Sequence, residues 1–433
     1  MYKRIVRRDG SVIILAPKKD TKAITFEVLY KVGSRQENDK NNGVSHFVEH
    51  LMFKGTERRP ATVDIAKELD GVGAQYNAFT GKEYTGYYVT VNNSHMTMAM
   101  DMLADILHNS KFDREEIDRE RGVIVEEINM YEDNPMMYIE EVFENILFNG
   151  TDLGRSIAGP KVNIQTISRN TLYNYHKKYY YHGNAIIGLA GNFNTTQALK
   201  LIDKLFPISK RQARVKNKAL PVIKQSAAVV EIINRDLEQV QLMLGFRTSS
   251  VVDKDFILNQ VMANIFGGTM SSRLFLNIRE RQGLCYFIKA GVSGYEGSSA
   301  FAIHAGLNKE KIYEALEAIK EELNNLAKDG ITKEELAQAK ENIKGRMILK
   351  MESSSAQLNF LISQEAIGRP IKSLDDKLKE LDKISLKQIN NLASKIIDWS
   401  QSNLAIIGPF KNKNKFVNIL SKSKVKKSKV KSN

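Results

Sequence analysis

Read for the spacing of apolar and polar side chains, the chain passes twice through the same succession of period-two and period-3.6 stretches. Alternating segments at residues 11–15 and 24–30, the first just after the turn residues Asp9-Gly10, predict strands. Residues 43–55 predict a short helix with Val44, Phe47, Val48, Leu51 and Met52 on one stripe. Thr62 caps a second short helix over 62–71. Two β-rich runs follow at 74–80 and 84–91, then a helix at 95–107. Asp113 with Glu116 makes a capping box for a longer helix to about residue 131. Helices at 135–149 and 168–181 and a strand at 184–190 end this half.

The order then starts again. Strands at 225–234 and 239–246 precede a helix at 256–266, and strands at 285–292 and 300–305 precede a helix at 308–327. Thr332 with Glu335 forms a second capping box before a helix to about 351, with further helices at 353–368, 374–381 and 385–397 and a closing strand at 404–408. Ile187-Gly-Leu-Ala-Gly-Asn-Phe is answered by Ala405-Ile-Ile-Gly-Pro-Phe. The pattern predicts an α+β protein of two homologous α/β-sandwich halves, each an antiparallel-rich sheet covered by helices and related by an internal repeat. The expected division is 1–215, 216–412 and a basic, disordered tail at 413–433.

The helix at 43–55 carries more than a buried stripe. His46, Glu49 and His50 cluster nearly opposite the apolar residues. Histidines four apart point the same way one turn apart, so both rings can reach one tetrahedral zinc, and a carboxylate between them can reach water at the metal. This is the inverted His-x-x-Glu-His arrangement, with Glu49 as candidate general base. Asn41 or Asn42 is the expected cap, and Gly55 the left-handed stop. The corresponding helix of the second half offers Gln260, Val261 and Asn264, so only one half can hold the metal.

A zinc hydrolase needs a third protein ligand. Candidates are His95, His108, Glu120, Glu126 and Glu127. With Ile117, Ile124 and Ile128 setting the buried direction of their helix, Glu120 and Glu127 flank it and Glu126 lies about 100° away. Carboxylates beside a buried stripe need partners, so one of that pair can ligate while the other orients an imidazole.

Bulk properties narrow the context. The chain has 433 residues, 42% hydrophobic and 26% charged, and one cysteine, Cys285. A disulfide framework is excluded and a reducing compartment suits it. The absence of a membrane-length apolar run, or of an apolar core in the first residues, leads to the expectation of a cytoplasmic protein or the mature form of an imported one. The net charge of +14 resides in residues 411–433, with nine lysines and no acid, and 210–218, with five Lys or Arg and no acid. The remainder is close to neutral, which argues against a specific nucleic-acid partner.

His46-x-x-Glu49-His50, followed after 76 intervening residues by Glu127 within Glu120-Arg-Gly-Val-Ile-Val-Glu-Glu127, resembles the pitrilysin, insulysin and mitochondrial processing peptidase family of zinc metallopeptidases. Asn77-Ala78-Phe79-Thr80, Phe266-Gly-Gly-Thr-Met-Ser-Ser-Arg-Leu-Phe and Ile278-Arg-Glu-Arg-Gln-Gly-Leu-Cys-Tyr286 extend the likeness over nearly the whole chain. The resemblance implies one zinc per chain on His46, His50 and Glu127, with Glu49 as base and Glu120 behind a ligand. It implies an edge strand at Asn77, Ala78 and Phe79 that pairs with an extended peptide, and a contact from Arg279 and Tyr286 to the carbonyl being cleaved. The chain resembles the short, two-domain members, which pair to complete a chamber, so a homodimeric endopeptidase acting on unfolded or presequence-like peptides is expected. The alternative is a catalytically silent scaffold of the same family; the intact inner residues favour the enzyme.

Overall fold

Val12, Ile14 and Ala16 point to one face of a strand and Ile13 and Leu15 to the other, and all five are buried. A strand with no solvent side requires cover on both faces of its sheet. The computed structural model of the chain, which describes residues 2–210 and 214–421, supplies that cover from two different parts of the sequence.

The first half runs β1 (Lys3–Val6), β2 (Val12–Pro17), β3 (Ala23–Tyr30), α1 (Val44–Leu51), α2 (Thr62–Asp70), β4 (Gln75–Thr80) and β5 (Thr85–Asn92). It continues through α3 (Met96–Asn109), α4 (Arg114–Asp133), α5 (Pro135–Leu147), α6 (Lys161–Thr166), α7 (Arg169–Tyr179), β6 (Ala185–Gly191) and α8 (Thr195–Leu205). The second half has β7 (Val229–Asn234), β8 (Gln239–Thr248), α9 (Phe256–Gly267), a π-helical turn (Phe275–Glu280), β9 (Cys285–Tyr295) and β10 (Ser298–Asn308). Then come α10 (Ile312–Asp329), α11 (Lys333–Lys350), α12 (Ser354–Ala366), α13 (Leu374–Asp382), α14 (Leu386–Ile396), β11 (Asn403–Gly408) and α15 (Asn414–Ser421).

The sheets have orders β1-β2-β6-β3-β5-β4 and β7-β11-β8-β10-β9. Apart from β1 they match strand for strand, down to one parallel pair each, β2 with β6 and β7 with β11. The expected repeat is therefore present, and β4 and β9 are equivalent edge strands. On one face of each sheet lie that half's own helices, around Phe26, Phe47 and Leu103 in the first and Leu244, Phe266 and Leu323 in the second.

The opposite faces are covered by exchange. Helix α5 of the first half lies on the second sheet, where Ile139, Phe143 and Leu147 meet Ala302, Ala405 and Ile407. Helix α12 of the second half lies on the first sheet, where Leu358 and Ile362 meet Val12, Ile14 and Ile186. At Gly188 in β6 the fit is close: a Cβ would stand 2.4 Å from Ile362 Cδ1 and 2.6 Å from Leu358 Cδ1, so both side-chain ends would have to shift to admit a methyl. A cut at 215/216 separates the two sheets but not the helices that cover them.

Several local expectations are corrected. Neither Asn41 nor Asn42 caps α1: the buried Glu37 carboxylate accepts from the Gly43 and Ser45 backbone N–H at 2.9 and 2.7 Å. Thr62 is the first residue of α2, and the Asp64 carboxylate closes that end on the Ala61 N–H at 3.0 Å. Asp113 caps α4 through the Glu115 N–H, but Glu116 pairs with Arg119 rather than completing a box. The Thr332 and Glu335 box forms as expected. Gly55 has φ +113°, and a side chain there would meet the Pro60 carbonyl at 2.4 Å.

Residues 414–421, assigned to an unstructured tail, form α15 instead, because Phe416, Ile419 and Leu420 are spaced to bury one face in the second core. The remainder of that tail, 422–433, and residues 211–213 of the basic connector lie outside the described residues. Among the described residues no helix is long and apolar enough to cross a membrane.

Candidate metal centre

Helix α1 is fixed before its chemistry is considered. Val44, Phe47, Val48 and Leu51 are buried, Ser45 Oγ lies 2.6 Å from the Tyr175 hydroxyl of α7, and the Arg121 guanidinium lies over the Phe47 ring. The opposite face turns His46, Glu49 and His50 towards α4 and the end of β4.

His46 Nε2 and His50 Nε2 are 3.3 Å apart, and Glu127 Oε2 of α4 lies 3.6 Å from the first and 3.3 Å from the second. Ligand atoms about 2.05 Å from one tetrahedral ion stand about 3.3 Å from each other, so these three fit a zinc ion. They are the three-residue His, Cys or carboxylate group of metal-binding geometry found among the described residues. Two imidazole nitrogens facing each other beside a carboxylate need a cation or a proton between them. Burial, then the neighbouring charge of His50, pushes His46 down to about 4. His50 is also disfavoured as a cation by burial, yet Glu120 and Glu127 carry it up to about 9. The hydrogen bond with His50 holds Glu127 below the usual carboxylate range.

The surrounding groups orient the ligands. Glu120 Oε2 lies 3.0 Å from His50 Nδ1, and Lys54 Nζ donates to Glu120 Oε1 at 2.5 Å. Burial works against a charge on Glu120, but these two partners outweigh it and hold the carboxyl below its ordinary value. His46 Nδ1 is buried with no hydrogen-bond partner among the described residues, leaving its Nε2 as the side engaged by the cluster. Thr80 Oγ1, at the end of β4, donates to Glu49 Oε2 at 2.5 Å, while burial raises the Glu49 carboxyl above its ordinary value.

The other ligand candidates are elsewhere. His108 Nε2 is 2.9 Å from His182 Nε2, Glu126 accepts from Asn129, and His95 stands at the start of α3. The sequence offers no signal for Lys54 and gives Thr80 only as part of the Asn77-Ala78-Phe79-Thr80 segment, although the alternation of Tyr76, Ala78 and Thr80 along β4 places Thr80 on the face towards α1. Asn77 and Phe79 point the other way, and the Phe79 ring packs on Gly86 and Tyr84. A cavity of about 560 Å³ opens between α4, α5 and residues 149–161, bordered by Tyr131, Tyr138 and Glu141; none of the cluster residues lines it.

Residues 12–161 match the model of the insulinase family, peptidase family M16, and residues 166–343 match that of the M16 inactive domain. An uncharacterized zinc protease of Bacillus subtilis is 34% identical over 413 residues, covering 95% of this chain and 99% of the relative. The chain belongs to peptidase family M16.

It is of the short, two-domain M16 type. A second relative, an uncharacterized zinc protease of Streptomyces coelicolor, is 30% identical over 93% of this chain and 89% of its own. A protease from Helicobacter pylori shares the fold at a TM-score of 0.87 with 23% identity, covering 94% of this chain and 99% of that one. A Pseudomonas fluorescens structure described as a peptidase M16 inactive domain does so at 0.86 with 18% identity, over 95% and 98%.

Among the described residues the second half holds no comparable ligand group. On α9, Asn264 donates to Asn342 of α11 at 3.0 Å, where the first half has the histidines of α1 facing α4. Gly267 and Gly268 end α9, and Gly267 lets the helix approach Ala290 of β9. The Arg279 guanidinium lies 4.8 Å from the Phe275 ring, and Tyr286 is 60% exposed near the start of the edge strand β9.

Proposed function

We propose that this chain is a zinc-dependent endopeptidase that hydrolyses extended or unfolded peptides inside a chamber completed by a second copy. The observation that carries the reading is the convergence of His46, His50 and Glu127 on one point, with the Glu49 carboxylate held beside it. A zinc ion bound there supplies Lewis acidity to water and to the scissile carbonyl.

The chain's own residues provide the remainder. Edge strand β4 pairs with β5 alone, so its outer side is free to take an extended peptide as a further strand. The Ala78 N–H, which Asn77 Oδ1 accepts at 2.9 Å, is released to the incoming backbone. Main-chain pairing tolerates many sequences, which suits unfolded substrates. Glu49 takes a proton from the attacking water and returns it to the departing amine. Glu120 holds His50 in the tautomer with Nδ1–H, leaving Nε2 as donor of its lone pair.

Arg279 and Tyr286, exposed on the second half, are assigned to the zinc site of the partner subunit, where they steady the oxygen as it becomes negative. A cytoplasmic setting belongs to the same proposal, and the half-buried single thiol at Cys285, which suits a reducing compartment, supports it.

The test is incubation of wild type and Glu49→Gln, both loaded with zinc, with a mixed peptide library whose cut sites are read by mass spectrometry. Wild type should cut internal bonds and Glu49→Gln should not. Uncut peptides with zinc-loaded wild type would favour a catalytically silent scaffold.

A further inference from the structure

Helix α1 and strand β4 meet at one polar contact that no part of the metal cluster requires. Glu49 is neither a ligand nor paired with a cation, yet one of its oxygens takes the Thr80 hydroxyl at 2.5 Å. Thr80 is the last residue of β4, and Thr85 of β5 stands directly across from it. The hairpin turn closes immediately after, with the Gly81 N–H donating to the Tyr84 carbonyl at 2.8 Å. Tyr76 and Ala78, on the same side of β4, pack against the core under α1. The hydroxyl is thus held from both directions along the chain, and the carboxylate is held by the hydroxyl.

From this geometry we infer that Thr80 is the positioning residue of the catalytic base, and that it ties the aim of Glu49 to the strand on which the peptide docks. The inference rests on the peptidase reading and adds to it a residue and a coupling. A carboxylate at the end of two methylenes has several rotamers, and a base works only within hydrogen-bond reach of the water it activates. A donated hydrogen bond to one oxygen selects one orientation and leaves the other oxygen for the proton transfer. Because the donor sits on the edge strand, a peptide that extends the sheet along β4 also stiffens the segment that aims the base. Binding and alignment are then one event, and the effect falls on turnover rather than on affinity.

The experiment uses the zinc-loaded full chain, an internally quenched peptide chosen from those wild type cuts, and Thr80→Val, Thr80→Ala and Thr80→Ser. Val keeps the shape and the β-branch while losing the hydroxyl; Ala serves if Val does not fold. The expected result is a fall in kcat of about 10- to 100-fold in Thr80→Val with KM within about twofold and zinc content unchanged. Thr80→Ser should recover most of the loss.

In crystals of zinc-loaded Thr80→Val the Glu49 carboxylate should leave the position it holds in wild type. A kcat for Val within about twofold of wild type overturns the inference, as does equal damage in Ser and Val, or a loss confined to KM or to zinc content. If wild type itself cuts nothing, the peptidase reading fails. The crystal comparison then decides the positioning role alone, with an unmoved Glu49 counting against it.

Discussion

His50 Nδ1 and Glu120 Oε2 face each other across 3.0 Å from two different helices, α1 and α4. The contact settles which ring nitrogen of His50 turns to the metal position, and Lys54 holds the carboxylate that settles it. His46 has no such support at its Nδ1. The two imidazoles are therefore unequal, and the removable support is on His50.

Glu120→Ala should weaken zinc binding by about 10- to 100-fold, measured by competition with a chromogenic chelator. Glu116→Ala on the same helix removes only the surface pair with Arg119 and should leave zinc affinity within about twofold. Equal effects of the two substitutions would remove the orienting role from Glu120.

The buried Glu27 predicts a pH dependence of stability unrelated to the metal. It lies in the middle of β3, between Gly188 of β6 and Tyr88 of β5; one of its oxygens lacks a hydrogen-bond partner among the described residues, and the Tyr84 phenol is a neighbouring titratable group. Burial raises its carboxyl from the usual 4.5 to about 7. Between those values the folded chain keeps a proton that the unfolded chain has lost, so this residue's contribution falls as pH rises and its full cost, about 3 kcal/mol, stands above pH 7. Glu27→Gln should raise the midpoint of thermal unfolding at pH 8 and change it little at pH 5. A shift equal at both values would show that the carboxyl is not the source.

The close contact of Gly188 with α12 predicts overpacking. Gly188→Ala should cost about 1 to 3 kcal/mol in urea unfolding. Adding Ile362→Val, which deletes the Cδ1 atom nearest the new methyl, should recover part of that loss. Independent, additive effects would mean that β6 and α12 are not in contact at this point.

Sharing of the site between two copies predicts complementation. A one-to-one mixture of Glu49→Gln and Tyr286→Phe chains, each inactive alone, should regain about a quarter of wild-type turnover, since half the pairs are mixed and each mixed pair has one complete site. No recovery in verified mixed pairs would assign Tyr286 to its own chain's zinc or to neither.

The repeat and the inner site were legible in the sequence because both rest on local spacing. The His46 and His50 pair needs only one helical turn, and the Leu, Ile and Val periods give most element positions to within a few residues. Helical periodicity sets Glu126 aside, but choosing Glu127 over Glu120 or His108 required either the family likeness or the fold. Elements that depend on a particular partner escaped: β1 is only four residues long and exists by pairing with β2, and the α1 cap comes from Glu37, seven residues before the helix, rather than from the adjacent asparagines. Helix α8, capped by Asn194, lies outside the expected elements because the Gly191 that ends the strand before it reads as the end of the half. The exchange of α5 and α12 leaves no local mark, as each helix simply reads as amphipathic.

That exchange makes the molecule all or none. Either half expressed by itself would turn a strip of valine and isoleucine outward where its borrowed helix should lie, Val12, Ile14 and Ile186 on one side or Ala405 and Ile407 on the other. The chain is less like two beads on a string than like two hands clasped with interlocked fingers, and His46, His50 and Glu127 sit in the hand whose outer sheet face is covered by the other's helix.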